Sequence, residues 1–302
     1  MLRITVDVFS GRPNPVWELQ DEARAREALR VLGREAELFT SAAPRIGRLG
    51  LRGLVVEAVE DDIVGDLRAG SYLAVGADAA GARATELAER LISLVRQGGT
   101  PLDVGDDFPG TGLLDLLVSE LGRVDGEGVR RAATTGVDGD APKAQASPST
   151  LCMVESAKFN PDFWNDDENI RLNNNCYNYA SNRVTNTFAQ PGRGAGKVIK
   201  NVACPDVGNA ALADGMHQQG DCLPDSEKPR WFTALVIAPG FDYHWYRHQI
   251  EKFWGHKPAG TDATNLDNSG NVIHDPETAD RGPYTDFCGY FYGGKTQRSR
   301  IR

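Results

Sequence analysis

The sequence predicts an α+β protein built as two domains joined by a flexible linker. Three observations carry this. Residues 1–122 interleave strand-like alternation with helical apolar stripes, the pattern of a small α/β sandwich with helices on one face. Residues 123–150 offer few large apolar side chains and many Gly, Asp, Ser and Pro, the composition of a linker. Residues 151–302 turn to Asn, Asp, Gly, Pro and aromatics, with one principal helix followed by strands. A length of 302 residues suits two domains better than one.

Each element follows from local spacing. Leu2 to Val8 alternates like a half-buried strand, and Ser10-Gly11-Arg12-Pro13-Asn14-Pro15 is a turn cluster. Asp21 to Leu32 carries Ala25, Ala28, Leu29 and Leu32 at helical spacing. Gly53 to Val59 and Gly70 to Val75 read as strands. Ala82 to Val95 reads as a helix with Leu87, Leu91 and Leu94 on one stripe, and Leu113 to Leu121 as a further one. Nothing in this first domain names a chemistry. It is assigned a targeting, binding or regulatory role, with a protein as its partner. In the second domain a helix is expected from Cys176. Strands are expected at Trp231–Ile237, Tyr243–His248, Phe253–His256 and Tyr284–Tyr292, the last bending at Gly289.

Bulk properties narrow the function. A net charge of -9 argues against nucleic acid as a partner, because phosphate neutralisation needs a basic surface. The basic end from Lys295 to Arg302 reads as a solvated tail. No apolar run is long enough to span a bilayer. Asp7 stands where a secretory signal keeps its apolar core, so the expected compartment is the cytoplasm, with unconventional export left open. All five cysteines fall after residue 150. An odd number leaves one unpaired, and Cys176 is the natural candidate. The pairs Cys204–Cys222 and Cys152–Cys288 are expected if the others bridge; in a reducing cytosol the four would remain thiols.

The chemistry centres on Asn173-Asn174-Asn175-Cys176, where a polar run meets a helix start. Free backbone N–H groups and the helix dipole at such a start stabilise a thiolate. Along the strand that follows, His244, Tyr246 and His248 share a face. A turn around Ile250 would pair position 244 with position 256. His256 would then orient His244, and His244 would take the proton from Cys176, giving nucleophile, base and orienter.

Cys176-Tyr177-Asn178-Tyr179-Ala180, Asp242-Tyr243-His244-Trp245 and Trp254-Gly255-His256-Lys257 resemble, in order and spacing, the papain-like cysteine hydrolases, and in layout the NlpC/P60 group. The resemblance covers about half the chain, none of it N-terminal. It departs from the group's usual Asp before the cysteine and Ser-Gly after it: Asn175 precedes here, and Tyr177-Asn178 follow. The resemblance implies a papain-like fold and thiolate attack on a peptide or amide substrate. Release of the acyl group to water or an amine would make the protein a cysteine peptidase, an amidase or an acyltransferase, with no cofactor. The oxyanion would sit on the Cys176 N–H and an Asn side chain of the run. Asn173, Asn175, Tyr177, Trp245 and Trp254 flank these positions and are assigned to substrate contact.

Competing readings start from the same residues. Four further cysteines and loop-rich, aromatic composition suit a disulfide-stapled binding or toxin module. His244, His248 and His256 on one face suit a zinc-dependent hydrolase, although neither Cys-x-x-Cys nor His-Glu-x-x-His is present. Asp267 and Asn268 are alternative orienters of His244. Asn265 to Asn271 imitates a calcium loop but has Pro276 where the bidentate Glu belongs, and reads as a turn. Gly192 to Lys197 has phosphate-loop glycines at the wrong spacing and reads as a mobile connection.

Overall fold

The alternating strand Leu2–Asp7 (β1) points Leu2, Ile4 and Val6 into a core and carries the first sheet at its centre. The computed structural model describes residues 1–41, 45, 47–59, 71–76, 79–102, 110–133 and 152–302. Most of the expected linker lies outside the described residues. Two units form: Met1–Val8, Asn14–Pro44 and Leu51–Pro142 make one; Phe9–Pro13, Arg45–Gly50 and Lys143–Arg302 make the other.

In unit 1, β1 is joined by Val16–Leu19 (β2), Phe39–Thr40 (β3), Gly53–Ala58 (β4), Ser71–Ala74 (β5) and Gly99–Leu102 (β6). The order is β3-β5-β4-β1-β2-β6, with antiparallel pairing throughout. Three helices accompany it: Glu22–Arg34 (α1), Ala79–Gly98 (α2) and Gly110–Ala133 (α3). Asp21 caps α1 by accepting the Arg24 N–H at 2.8 Å. The three short strands β2, β3 and β6 are additions to the sequence reading; each is too brief to show a period.

Unit 2 is built on a second antiparallel sheet. Its strands are His217–Gln218 (β7), Trp231–Ala238 (β8), Asp242–His248 (β9), Trp254–His256 (β10) and Asp286–Gly293 (β11), in the order β10-β9-β8-β11-β7. The helices are Pro161–Asn165 (α4), Glu168–Asn173 (α5), Cys176–Ala180 (α6), Cys204–Asp214 (α7) and Lys295–Arg300 (α8). Alternation sorts the sheet's two faces. Leu235, Ile237, Tyr243, Trp245 and Phe291 meet α6 and α7; Ala234, Val236, Tyr246 and Trp254 meet Leu49, Ile273 and Tyr284. A bulge between Phe287 and Gly289, with Gly289 at φ 103°, gives β11 the expected bend. Helices with antiparallel sheets place the protein in the α+β class.

The disulfides correct the expected pairing. The bonds are Cys152–Cys222 and Cys204–Cys288, with Cα–Cα distances of 5.3 and 5.2 Å. Cys204 opens α7, which packs on β11 and so delivers it to Cys288. Cys152 and Cys222 meet beside Leu223 and Tyr292. This packing replaces the expected pairs Cys204–Cys222 and Cys152–Cys288. Among the described residues no helix is long and apolar enough to cross a membrane.

Candidate functional site

The Asn run is buried at its end, although its side chains are polar. Asn173 closes α5 at the surface, while Asn174 and Asn175 are fully buried. Every one of their amide groups is used. Asn174 Nδ2 donates to Ile170 O at 2.8 Å. Asn175 Oδ1 caps α6 by accepting the N–H groups of Tyr177 and Asn178, both at 3.1 Å, and Asn178 Oδ1 accepts Asn175 N–H in return. Asn175 Nδ2 donates to Gly11 O at 2.7 Å and Ala189 O at 2.8 Å. Lys257, also fully buried, donates from Nζ to the carbonyls of Arg171, Asn174 and Ala259 at 2.6, 2.7 and 2.6 Å. It thereby satisfies carbonyls at the end of α5 that the helix itself leaves open.

Cys176 is the first residue of α6, which has only five residues, and it is completely buried. It packs with Tyr177, Tyr243 and Trp245, and its sulfur lies 3.9 Å from Tyr243 O. Burial, and then the Asp242 carboxylate, push its thiol far above the usual range, so the sulfur stays protonated. A free cysteine here is therefore an apolar core group with a weak donor.

His244 and His256 do come together. The register pairs His256 with Tyr246, two residues from the expected partner His244. A shift of two preserves the face, so the rings still meet diagonally, with His244 Nε2 2.9 Å from His256 Nδ1. His256 Nε2 lies 2.9 Å from Leu266 O. A carbonyl only accepts, so His256 Nε2 carries the proton and its Nδ1 accepts from His244 Nε2–H. His244 Nδ1 is hydrogen-bonded to the Ser10 hydroxyl. One directional chain thus runs from His244 Nε2 through the His256 ring to Leu266 O. Burial holds the His256 pKa down at about 4, so the ring is neutral.

Ser10 and its neighbours were not anticipated as part of this site, because Gly11 and Asp242 lie 231 positions apart. The buried Asp242 carboxylate accepts the backbone N–H groups of Ser10, Gly11 and Arg12 at 2.5, 3.1 and 3.1 Å, and the Tyr284 hydroxyl at 2.6 Å. Burial still raises its pKa. Gly11 O accepts from Asn175 Nδ2 and from Gln190 Nε2 at 2.8 Å, with Tyr243 Oη 3.0 Å away. A Cβ on Gly11 would stand 2.3 Å from Tyr243 Cε2, so only glycine fits.

The remaining predicted residues have other surroundings. Tyr177 donates to Asp214 at 3.0 Å inside the core, and Trp245 is buried beside it. Trp254 packs against Phe232, His248 and Tyr290 on the opposite face. Asn268 holds Leu49, and Asp267 Oδ1 accepts the Ser269 and Asn271 N–H groups of its own turn. Among the described residues no group of three His, Cys, Asp or Glu side chains is placed to hold a metal ion.

No family profile matches the chain. No solved structure matches it. It is 47% identical over 148 residues to "Insoluble matrix shell protein 1" of Ruditapes philippinarum, a match covering 49% of this chain and 96% of that protein. This similarity overturns the expected cysteine hydrolase or acyltransferase, the thiol-protease and amidase attributes that went with it, and the zinc-hydrolase alternative: the relative is named as a matrix constituent, not as an enzyme. It likewise corrects the cytoplasmic expectation, because the matrix of a shell is not cytoplasm. The buried, protonated Cys176 is the physical counterpart of that correction. The chain belongs to the family of insoluble matrix shell protein 1.

Proposed function

We propose that the protein is a structural component of an insoluble matrix outside the cell, with unit 2 as its disulfide-stapled building block. The observation that carries this reading is the match to a shell-matrix protein over 96% of that protein's length. The geometry supports it. Two disulfides suit an oxidising compartment and resist unfolding where no cell machinery can repair the chain. The polar groups around Cys176 are spent on one another and on backbone, as in a core that must hold one shape. The order of Cys176, His244 and His256 remains similar to that of papain-like and NlpC/P60 proteins; we read this as likeness of scaffold, with the polar positions turned to structural use.

The test is fractionation of the material that surrounds the producing cells. Peptides from 152–302 are expected in the residue left after detergent extraction, with the Cys152–Cys222 and Cys204–Cys288 linkages intact when digestion omits reductant. Recovery of the chain, with all five cysteines as free thiols, from the soluble cytoplasmic fraction overturns the proposal.

A further inference from the structure

Acidic residues are unevenly placed along the chain. Of 33 basic and 42 acidic residues, unit 1 holds 13 and 24 and unit 2 holds 20 and 18, so the net charge of -9 divides into -11 and +2. Within unit 2 the division repeats. No Asp or Glu stands between Glu168 and Asp206, a stretch with Arg171, Arg183, Arg193, Lys197 and Lys200. None follows Asp286, after which come Lys295, Arg298, Arg300 and Arg302. The fold gathers these two acid-free stretches. Gln297 of α8 and Ile301 just after it are buried, and Gln297 donates to the Ser181 hydroxyl. The 3-10 turn Arg193–Ala195 lies so close to α8 that a Cβ on Gly194 would fall onto the Arg300 carbonyl. Gln190 N donates to Arg302 O at 3.0 Å. The basic run from Lys295, expected as a solvated tail, is thus a docked helix with Lys295 and Arg300 exposed.

The resulting face carries Arg183, Arg193, Lys295, Arg298, Arg300 and Arg302, all exposed except the half-buried Arg298. Burial holds the Arg298 pKa below its ordinary value; Glu227 opposes this and Arg183 adds to it, which puts the Arg183 charge beside α8. Other cations of unit 2 are paired: Arg230 with Glu155 and Asp225, Arg171 with Glu168, Lys228 with Asp225. None of the six has an ion pair among the described residues. The carboxylates near them are committed. Glu227 accepts from Thr296 N and Oγ1 at 2.7 and 2.6 Å, and Asp214 from Tyr177 Oη at 3.0 Å and Gly192 N at 2.7 Å. Like charges gathered in this way attract an external anion. The rest of the face narrows its class. No Phe, Trp or Tyr occurs from Ala189 to Arg230 or after Tyr292, so no ring there offers a stack for bases. The exposed positions of α8 and the Arg193–Ala195 turn are Arg193, Ala195, Lys295, Ser299 and Arg300, which gives a protein partner no apolar centre to bury.

We infer that this face binds an anionic polysaccharide. Guanidinium groups present a planar fork that takes two oxygens of one sulfate or carboxylate, and five of the six cations are Arg. The cations stand on three separate segments, so a polymer engages several at once and gains the avidity that a single small anion lacks. Its hydroxylated backbone asks for neither a stacking ring nor an apolar centre. The choice of polysaccharide over nucleic acid rests also on the matrix reading, which sets the face outside the cell.

The test passes full-length protein over immobilised dextran sulfate and over uncharged dextran. A protein of net charge -9 has no bulk attraction to a polyanion, so retention reports a local face. The wild type is expected to be held by dextran sulfate alone, with affinity falling about a hundredfold between roughly 50 and 200 mM salt. Arg193→Glu with Arg302→Glu should weaken binding by about tenfold or more. Lys158→Glu with Lys252→Glu makes an equal charge change at exposed sites beside the Ala157–Gln249 bridge and should leave binding within about twofold. An unchanged urea midpoint shows that each variant is folded. Competition on the wild type needs no variant: soluble dextran sulfate should displace it at lower charge concentration than duplex DNA or poly-glutamate. A wild type that is not retained, an equal loss in both variant pairs, or stronger displacement by DNA or poly-glutamate overturns the inference. A chain recovered from the matrix yet unretained by dextran sulfate overturns it while the matrix role stands; a chain retained by dextran sulfate yet recovered from the cytoplasm does the reverse.

Discussion

Removing a disulfide from unit 2 has a magnitude that can be worked out from the chain alone. The bonded cysteines are separated by 70 and 84 positions. The chain-entropy relation then gives about 4.4 kcal/mol for Cys152–Cys222 and about 4.6 kcal/mol for Cys204–Cys288. The two loops interlock, since Cys204 lies inside the first loop and Cys222 inside the second. Either bond therefore shortens the free loop the other must close, and the pair contributes less than the sum of its members. For Cys204→Ser with Cys288→Ser, a loss of about 3–5 kcal/mol is expected.

Urea unfolding read by tryptophan fluorescence is the assay. Trp164, Trp231, Trp245 and Trp254 lie in unit 2 and Trp17 alone in unit 1, so the signal follows the unit being tested. If the bond acts on the unfolded chain, its loss lets that chain expand, and the dependence of stability on urea steepens as well as shifts. A loss under about 1 kcal/mol with an unchanged slope would refute the reasoning and assign the unit's stability to its packing alone.

Further outcomes are expected from the buried groups. His256 binds its proton at about 4 when folded and at 6.5 when free. Stability present above pH 6.5 is therefore lost as the pH falls toward 4, by roughly 3 kcal/mol. Asp214 and Asp242, raised by burial, act in the opposite sense, so the comparison is with His256→Gln, in which the acid-dependent loss should shrink by that amount. Cys176→Ala should cost about 1 kcal/mol, and the native thiol should resist iodoacetamide until the unit unfolds; rapid labelling of folded protein would contradict its burial. Lys257→Met leaves three buried carbonyls unpaired and should cost about 3 kcal/mol or more in thermal unfolding.

How much could be read in advance depended on range. β8 and β9 appear within a residue of their expected bounds, because runs of aromatic and β-branched residues bounded by turns are local signals. The start of α6 at Cys176 was visible from its Asn cap. By contrast, α7 was missed. Its small residues Gly208, Ala210 and Ala211 give no apolar stripe, although Pro205 in the first turn and Gly215 at the left-handed close mark its ends. The meeting of His244 with His256 was legible because a two-residue error of register keeps a side chain on its face. Asp242 stood in the quoted motif, but nothing in its neighbourhood announces that it grips Ser10, Gly11 and Arg12.

Once placed, the residues that suggested a nucleophile lie in a packed interior. A catalytic thiol needs a thiolate-stabilising field and an approach for substrate. Here the nearest charge is the Asp242 carboxylate, which disfavours the thiolate, and the side chain has no exposed surface. His244 Nδ1 is hydrogen-bonded to the Ser10 hydroxyl, and its Nε2 to His256. The same facts describe a good structural device. The chain of hydrogen bonds has one direction, set at its far end by the Leu266 carbonyl, so reversing any ring would leave a buried donor or acceptor unpaired. Apolar packing tolerates several arrangements of similar volume, whereas this network admits one. Fixing that single arrangement at the seat of Phe9–Pro13 places the constraint where Asp242 holds the Ser10, Gly11 and Arg12 N–H groups.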